Sequence, residues 1–289
     1  MVVAVKSLAC ELPSRLNVPL SRLYVPDIQR AVIERGIVAE ISGATIWRWL
    51  SEDAIKPWRY RSWIFPRDPN FETKAARVLD LYAREWEGKP LGKRDFVISS
   101  DEKTSIQARV RRHETMAATP GRDMRVEFEY KRGGALQYLA GWDVHRAKVF
   151  GRCEPSTEIE PFGRLVDQVM TAEPYASARR VFWVVDNGSS HRGNAACERL
   201  SKRWPNAQLV QLPVHASWLN QVEIYFSVIQ RKVLTPNDFS DLAEIESRLA
   251  AFERRYEHAA APFEWRFTRD HLALLMKKLA DKPEYQLAA

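Results

Sequence analysis

Apolar positions beyond residue 94 alternate between two spacings, one typical of strands and one typical of helices. Short runs rich in β-branched and aromatic residues predict strands at 95–102, 105–112, 180–185 and 208–213, and a hairpin over 135–154. Apolar residues three and four positions apart predict helices over 162–170, 191–204 and 220–234. This order, in which a run of strands is followed by alternating helices and strands, predicts an α/β fold with a mixed sheet and helices on both faces.

The first 65 residues have a different pattern, which predicts a small helical domain. Ser21 is the expected cap of one helix, Gly36 ends it, and Ser42 begins a second helix. Two helices joined by a short turn containing glycine form a helix-turn-helix outline. The basic and aromatic segment 56–69 follows, and it is suited to contact a phosphate backbone or a minor groove. We therefore expect a helix-turn-helix region with this arm over residues 1–65.

An amphipathic pattern over residues 71–88 predicts one further helix, which would connect the two regions within 66–93. The α/β domain is then expected to occupy residues 94–289.

Composition narrows the choice of partner and compartment only slightly. The 289 residues carry a net charge of +7, which favours a polyanionic partner without identifying it. Cys10, Cys153 and Cys197 have spacings that suit neither a zinc site nor a disulfide framework, so they are expected to be thiols in the cytoplasm. No apolar run approaches the roughly 18 residues that would span a bilayer, so we expect no membrane partner.

Three acidic residues occupy positions that suit a shared site. Asp101 lies at the end of the predicted strand 95–102 and Asp186 at the end of another buried strand, and active sites of α/β sheets gather where strands end. Glu223 falls on the polar face of the predicted helix 220–234, which leaves it free to project towards them. Carboxylates that lie together repel unless a cation sits between them, and hard oxygen ligands suit Mg²⁺ or Mn²⁺. Two such ions could activate a water or a 3′-hydroxyl and stabilise the leaving oxygen of a phosphodiester.

The alternative interpretation makes each acid an ordinary cap or turn residue. Asp186 precedes Asn187 and Gly188, which is favourable turn chemistry. Glu102 adjoins Asp101, but neighbours in a strand face opposite ways, so only one of them can point into a site.

Three blocks of the sequence resemble the catalytic motifs of DDE transposases, in the order in which that family carries them: SSDEKTSIQ, VVDNGSSHRG and PVHASWLNQVEIYFSVIQRKVL. The resemblance is to the bacterial insertion-sequence branch related to the Tc1/mariner superfamily, with Glu223 placed 37 residues after Asp186. It implies a ribonuclease-H-like catalytic domain and Asp101, Asp186 and Glu223 as metal ligands. It also implies cleavage of element ends and strand transfer into target DNA, usually at TA, by a homodimer on double-stranded DNA in the bacterial nucleoid.

One departure from that family leaves other functions open. Relatives usually carry two helix-turn-helix units, and only the second is recognisable here, which suggests that this copy is truncated at its amino terminus. A catalytically idle DNA-binding remnant and a nuclease that only hydrolyses therefore remain as alternatives.

Further residues are candidates for supporting roles, each with an ordinary structural alternative. His191 and His215 could orient a phosphate or the attacking water, and Asn220 could be a partner of Glu223 or a helix cap. Candidates for DNA contact, for which a solvated surface position is the alternative, are Thr45, Arg48, Arg59, Arg61, Arg109 and Arg111.

Overall fold

The amino-terminal unit of the computed structural model, Met1–Ile64, contains three α-helices within its described part. The structure describes residues 1–60 and 66–281 of the chain. The helices are α1 (Val2–Ala9), α2 (Val25–Glu34) and α3 (Gly43–Glu52). Their apolar faces form one core, in which Ile28, Val32, Ile46 and Leu50 are fully buried.

The ends of α2 and α3 show which capping predictions hold. Ser42 Oγ accepts the N–H of Thr45 at 3.1 Å, which confirms it as the cap of α3. Gly36, with φ of +67°, ends α2 as predicted. The prediction that Ser21 begins α2 is wrong, because Asp27 inside the first turn accepts the Tyr24 N–H at 3.0 Å and fixes the start at Val25.

The second unit, Phe65–Ala289, begins with α4 (Phe71–Tyr82). The predicted helix over 71–88 ends six residues early, and a short hairpin of β1 (Glu85–Trp86) and β2 (Lys89–Pro90) replaces its last part. The chain turns here because Trp86 packs in the core, where the centroid of its ring lies 4.6 Å from that of Phe182.

A mixed sheet of five strands forms the centre of this unit, as predicted. The strands are β3 (Asp95–Val110), β4 (Lys131–Asp143), β5 (Lys148–Glu154), β6 (Arg180–Val185) and β7 (Ala207–Gln211). Their order across the sheet is β5-β4-β3-β6-β7, with β3, β6 and β7 parallel to one another and β4 antiparallel to both its neighbours.

The two strands predicted over 95–102 and 105–112 are a single strand, β3. The polar string between them resembles a turn, but β4 pairs with β3 along its whole length. A register shift between Lys103 and Ile106 accommodates the irregularity, and Ser105 takes a φ of +57° there. Asp101 therefore lies within β3 rather than at its end.

Helices cover both faces of the sheet, which confirms the predicted fold class. They are α5 (Ile159–Met170), α6 (Gly193–Arg203), α7 (Val222–Lys232), α8 (Leu242–Glu257) and α9 (Arg269–Ala280). On one face, α7 packs against Val97 and Val184; on the other, α5 packs against Ile98 and Trp183. In the described ranges no helix has the length and apolar character required to cross a membrane.

Strand β5 lies at one edge of the sheet, and side chains of α8 accept hydrogen bonds from its outward-facing N–H groups. Glu257 accepts the N–H of Val149, and Glu253 accepts the N–H of Gly151, each at 3.2 Å. Tyr138 also donates its hydroxyl to Glu253 at 2.8 Å. A side chain at position 151 would overlap both Glu253 and Tyr138, so only glycine fits there.

Candidate active site

Asp101 and Asp186 project from the same face of the sheet. Strands β3 and β6 are parallel neighbours with Ser99 opposite Val184; Asp101 lies two residues further along β3, and Asp186 directly follows the last residue of β6. Because side chains alternate between faces, Asp101 shares the face of Val97, and the same alternation continued by one residue gives Asp186 the face of Val184. The charge of Asp186 contributes to the raised pKa of Asp101, so the two carboxylates lie near enough to repel each other.

Glu223 lies in the first turn of α7, the helix that packs over this same face. The apolar side of α7, with Val222 and Phe226, is buried, whereas Glu223 is exposed. None of the described residues donates a hydrogen bond to its carboxylate, which is therefore free to change rotamer. Although the side chain is exposed, the protein around its carboxyl group removes part of its water; this desolvation and the charge of Asp186 raise the pKa of Glu223, while Lys103 acts in the opposite direction.

Asp101 is held by two hydrogen bonds and carries an unfavourable charge. Its Oδ1 accepts the N–H of Glu102 at 2.8 Å, and its Oδ2 accepts the side-chain amide of Asn220 at 3.0 Å. Burial, reinforced by the negative charges of Asp186, Glu102 and Glu223, raises the pKa of Asp101 to about 7. Repulsion from the neighbouring acids therefore outweighs the two hydrogen bonds at Asp101.

Asp186 is positioned by the turn that follows β6 and by His191. Its Oδ1 accepts the Gly188 N–H at 2.7 Å and lies 2.5 Å from His191 Nε2. The hydrogen bond to His191, opposed by burial and aided by Gly188, lowers the pKa of Asp186. The imidazole is almost fully buried, and its Nδ1 lies 2.8 Å from the hydroxyl of Ser190. Asp186 consequently has its orientation fixed on one side.

The side chain of Asn220 is bonded to Asp101 and not to Glu223, the partner named in one of the two roles that the sequence left open for it. It follows a short 3₁₀ turn, Ser217–Leu219, so it precedes α7 and turns inwards beneath the sheet. Its amide donates to the Ser100 carbonyl at 2.9 Å as well as to Asp101, and its oxygen accepts the Ser99 hydroxyl. The helix face that carries Glu223 therefore does not include Asn220.

Two residues beside Asp101 add to the local charge. Glu102 faces the opposite side of the strand, yet burial and the charge of Asp186 raise the pKa of its carboxyl. Lys103, two residues beyond Asp101 and on the same face, lies near enough to lower the pKa of Glu223. Lys103 could have been predicted from sequence, because side chains two residues apart in a strand share a face and Lys103 lies two residues after Asp101.

The remaining candidates lie away from the three acids or outside the described residues. Within the described ranges His215 is exposed and forms no side-chain hydrogen bond with any of the three acids. Arg111 donates to the carbonyls of Glu127, Phe128 and Asn237, which gives it a structural role in the connection between β3 and β4.

The amino-terminal candidates fall on the surface of their own unit. Arg48 and Arg59 are exposed, and the hydroxyl of Thr45 lies 2.9 Å from that of Ser42. Arg61 lies outside the described residues.

The donor set suits a hard divalent cation, although its side chains have not converged. In residues 1–60 and 66–281, no three acidic, histidine or cysteine side chains are close enough to enclose a metal ion. The raised pKa of Asp101 nevertheless marks a site where a cation would relieve repulsion among carboxylates. Carboxylate oxygens are the ligands that Mg²⁺ and Mn²⁺ prefer, and the unpaired Glu223 can swing towards the aspartates.

Comparison with known proteins places this arrangement in a family. The family model described as DDE superfamily endonuclease matches residues 97–246, a range that contains all three acids. None of the curated proteins matches the chain.

Solved structures of the Mos1 mariner transposase share the fold. The paired-end complex with Mn has a TM-score of 0.54 at 16% identity, and covers 91% of this chain and 80% of that one. The pre-cleavage transpososome gives 0.52 at 15% identity, with the same coverage. The strand transfer complex gives 0.51 at 15% identity, covering 91% of this chain and 79% of that one.

Proposed function

Since this chain belongs to the DDE superfamily endonucleases, we propose that it is a transposase that cuts the ends of a DNA element and joins them to target DNA. The observation that supports the proposal is the repulsion at Asp101, whose pKa is raised by burial and by the charges of Asp186, Glu102 and Glu223, together with the parallel pairing of β3 and β6. The structures that share its fold are described as paired-end, pre-cleavage and strand transfer complexes, which supports both the cutting and the joining step. We extend the proposal to a homodimer on DNA and to insertion at TA.

In this function the chain's own residues prepare the site before DNA enters. Asn220 holds Asp101 and His191 holds Asp186, each by a hydrogen bond to a single carboxylate oxygen. Glu223 closes the set from α7. A bound Mg²⁺ or Mn²⁺ pair supplies a more acidic water and stabilises charge on the phosphate oxygens.

The two steps differ in the attacking group. In cleavage, the oxygen of water bonds to phosphorus while the bond to the leaving DNA oxygen breaks, and that oxygen receives a proton. In joining, the oxygen of an element 3′-hydroxyl replaces water and bonds to a target phosphorus, while a P–O bond of the target strand breaks and the leaving oxygen receives the proton. The same three carboxylates would serve both steps, since the reacting groups are of the same kind.

The experiment that tests the proposal supplies duplex DNA carrying the element's ends, target plasmid and Mg²⁺ or Mn²⁺. We expect nicked ends and products joined to the target, and neither when the metal is replaced by EDTA. Cut ends without joined products would identify a hydrolytic nuclease. DNA binding with no cleavage under any metal would identify a DNA-binding remnant, and either result would overturn the transposase.

Asn220→Ala is expected to weaken metal-dependent cleavage by roughly 10- to 100-fold, because residues that orient metal ligands have effects of that size. The variant leaves Asp101 Oδ2 without its amide donor, so the apparent metal affinity should fall as well. Cleavage rates across a Mn²⁺ titration measure both effects.

Asn206→Ala is the matched control for that substitution. Like Asn220, Asn206 donates two hydrogen bonds through its amide. Its acceptors are the backbone carbonyls of Tyr175 and Ala178, each at 3.2 Å, and not a carboxylate of the site. It should lose comparable stability without a change in metal dependence. Equal metal titrations for the two variants would contradict the positioning role of Asn220.

A further inference from the structure

A polar groove lies beside the three acids, between β3 and the segment that begins with α7. It has a volume of about 270 Å³, and the lining residues that matter here are Lys103, Ser105, Gln107, Arg109, Gln230 and Asn237. Among the described lining residues the charged side chains are Lys103 and Arg109, and none is acidic. The groove therefore offers positive charge and hydrogen-bond donors immediately next to a cluster of negative charge.

The groove is continuous with the acid cluster on both of its walls. Along β3, Lys103 lies two residues beyond Asp101 on the same face, a separation of about 7 Å at the usual strand rise. Along α7, Gln230 lies two turns beyond Glu223 on the same exposed face, about 10 Å away. A strand of DNA whose scissile phosphate lies among the acids would pass directly into the groove.

The conformation of Arg109 is restrained by contacts with neighbouring residues. Its guanidinium lies 4.8 Å from the centroid of the Tyr130 ring, and Asn237 holds the Arg109 backbone N–H at 3.2 Å. Its Nε is buried and has no hydrogen-bond partner in the part of the chain that the structure describes. The burial of Nε shows that this end of the guanidinium packs against the protein, which limits the motion of the side chain.

Asn237 also fixes the groove to the edge of β3. Strand β6 pairs with β3 only up to Ser99, so the later part of β3 has no strand on that side within the described residues. Asn237 donates to the Gln107 carbonyl at 2.7 Å and accepts from Arg109, which anchors the chain after α7 to this edge. The spacing between the two cations is thereby defined.

We propose that the polar groove binds the phosphodiester backbone of the DNA strand that enters the acid cluster, with Lys103 on the phosphate nearer the cleavage point and Arg109 on one further along. This rests on the proposed function for the identity of the ligand. Charged and amide groups recognise phosphate, and the described residues that line the groove include no aromatic side chain on which a base could stack. The contact therefore fixes the register of the strand without reading its sequence.

The test measures binding rather than cleavage. Fluorescence anisotropy of labelled duplex DNA with Ca²⁺ gives Kd at several salt concentrations between about 50 and 200 mM. We expect Lys103→Gln and Arg109→Gln each to weaken binding by roughly three- to tenfold and to reduce the salt slope by about one. Lys103→Arg should keep the slope of the unmodified chain.

Lys202→Gln is the control of equal charge change, on α6 at the opposite face of the sheet. If Lys103→Gln and Arg109→Gln follow the same salt dependence as Lys202→Gln, the groove does not bind phosphate. If the salt slopes of Lys103→Gln and Arg109→Gln differ from that of Lys202→Gln but the unmodified chain neither cuts nor joins DNA, phosphate binding in the groove is supported and the transposase proposal is refuted. If it cuts and joins while the slopes stay equal, the groove alone is refuted.

Discussion

Metal-dependent cleavage is expected to fall by more than about 100-fold in Asp186→Asn and in Glu223→Gln. Residues that only orient metal ligands are worth about 10- to 100-fold, and the ligands themselves should be worth more. Both variants should stay folded. In Asp186→Asn the side-chain oxygen can still accept the hydrogen bond from the Gly188 N–H. In Glu223→Gln the lost charge does not stabilise the folded chain, because folding raises the pKa of Glu223.

The measurement is the rate of nicking of end-containing duplex in Mg²⁺ and in Mn²⁺, with circular dichroism to confirm folding. Glu198→Gln, on the exposed surface of α6, removes one carboxylate away from the site and should leave the rate unchanged. Cleavage by folded Asp186→Asn at the rate of that control would show that the three acids are not the catalytic set.

Asp95→Asn is expected to lower the free energy of unfolding by about 3 kcal/mol at pH 7, although it lies away from the acids. Asp95 is buried at the start of β3, where it accepts hydrogen bonds from Arg179, Arg180 and the Gly92 N–H. Removing its charge leaves two guanidinium groups without their partner. Chemical denaturation of both proteins measures the difference.

The pH dependence of that difference has a definite sign. Burial acts to raise the pKa of Asp95, but the two arginines and Gly92 outweigh it and hold the pKa far below its usual range. A depressed pKa stabilises the folded chain above the unfolded value of about 4, and the stabilisation is lost as pH falls towards the folded value. The gap between Asp95 and its Asn variant should therefore narrow below about pH 4.

A partly exposed ion pair provides the comparison. Asp167→Asn removes a carboxylate that Arg203 and Trp204 contact at the surface, and it should cost about 1 kcal/mol or less. An equal, small effect of both substitutions would contradict the structural role of the buried carboxylate.

The elements with strong periodicity could be predicted from sequence because one physical effect dominates them. Helix α5 buries apolar side chains at helical spacing, and β6 is a short continuous apolar run that is buried on both faces. The faces of Asp101 and Asp186 follow from the general alternation of side chains along a strand once β3 and β6 are known to be adjacent. The adjacency itself required the family resemblance, because strand order depends on long-range pairing that a local pattern does not contain.

The errors share a different cause, which is that a partner distant in sequence decides the local structure. Strand β3 continues through Ser105 because β4 pairs with it, despite a polar string that favours a turn. Asn220 has the spacing of the helix face, but Ser99 and Asp101, more than 100 residues earlier, draw it beneath the sheet. Lys103 and the polar groove likewise depend on how the chain after α7 meets the edge of β3.

The carboxylates of α8 on the free side of β5 limit how this enzyme can self-associate. An exposed edge strand can form backbone hydrogen bonds with a strand of a second chain, and such pairing leads to aggregation. Here Glu253 and Glu257 already occupy two of the N–H groups that such a chain would need, and their charges repel incoming carbonyl oxygens. Two copies of the chain are thereby hindered from pairing their sheets at this edge, so we expect an assembly of copies to form through other surfaces.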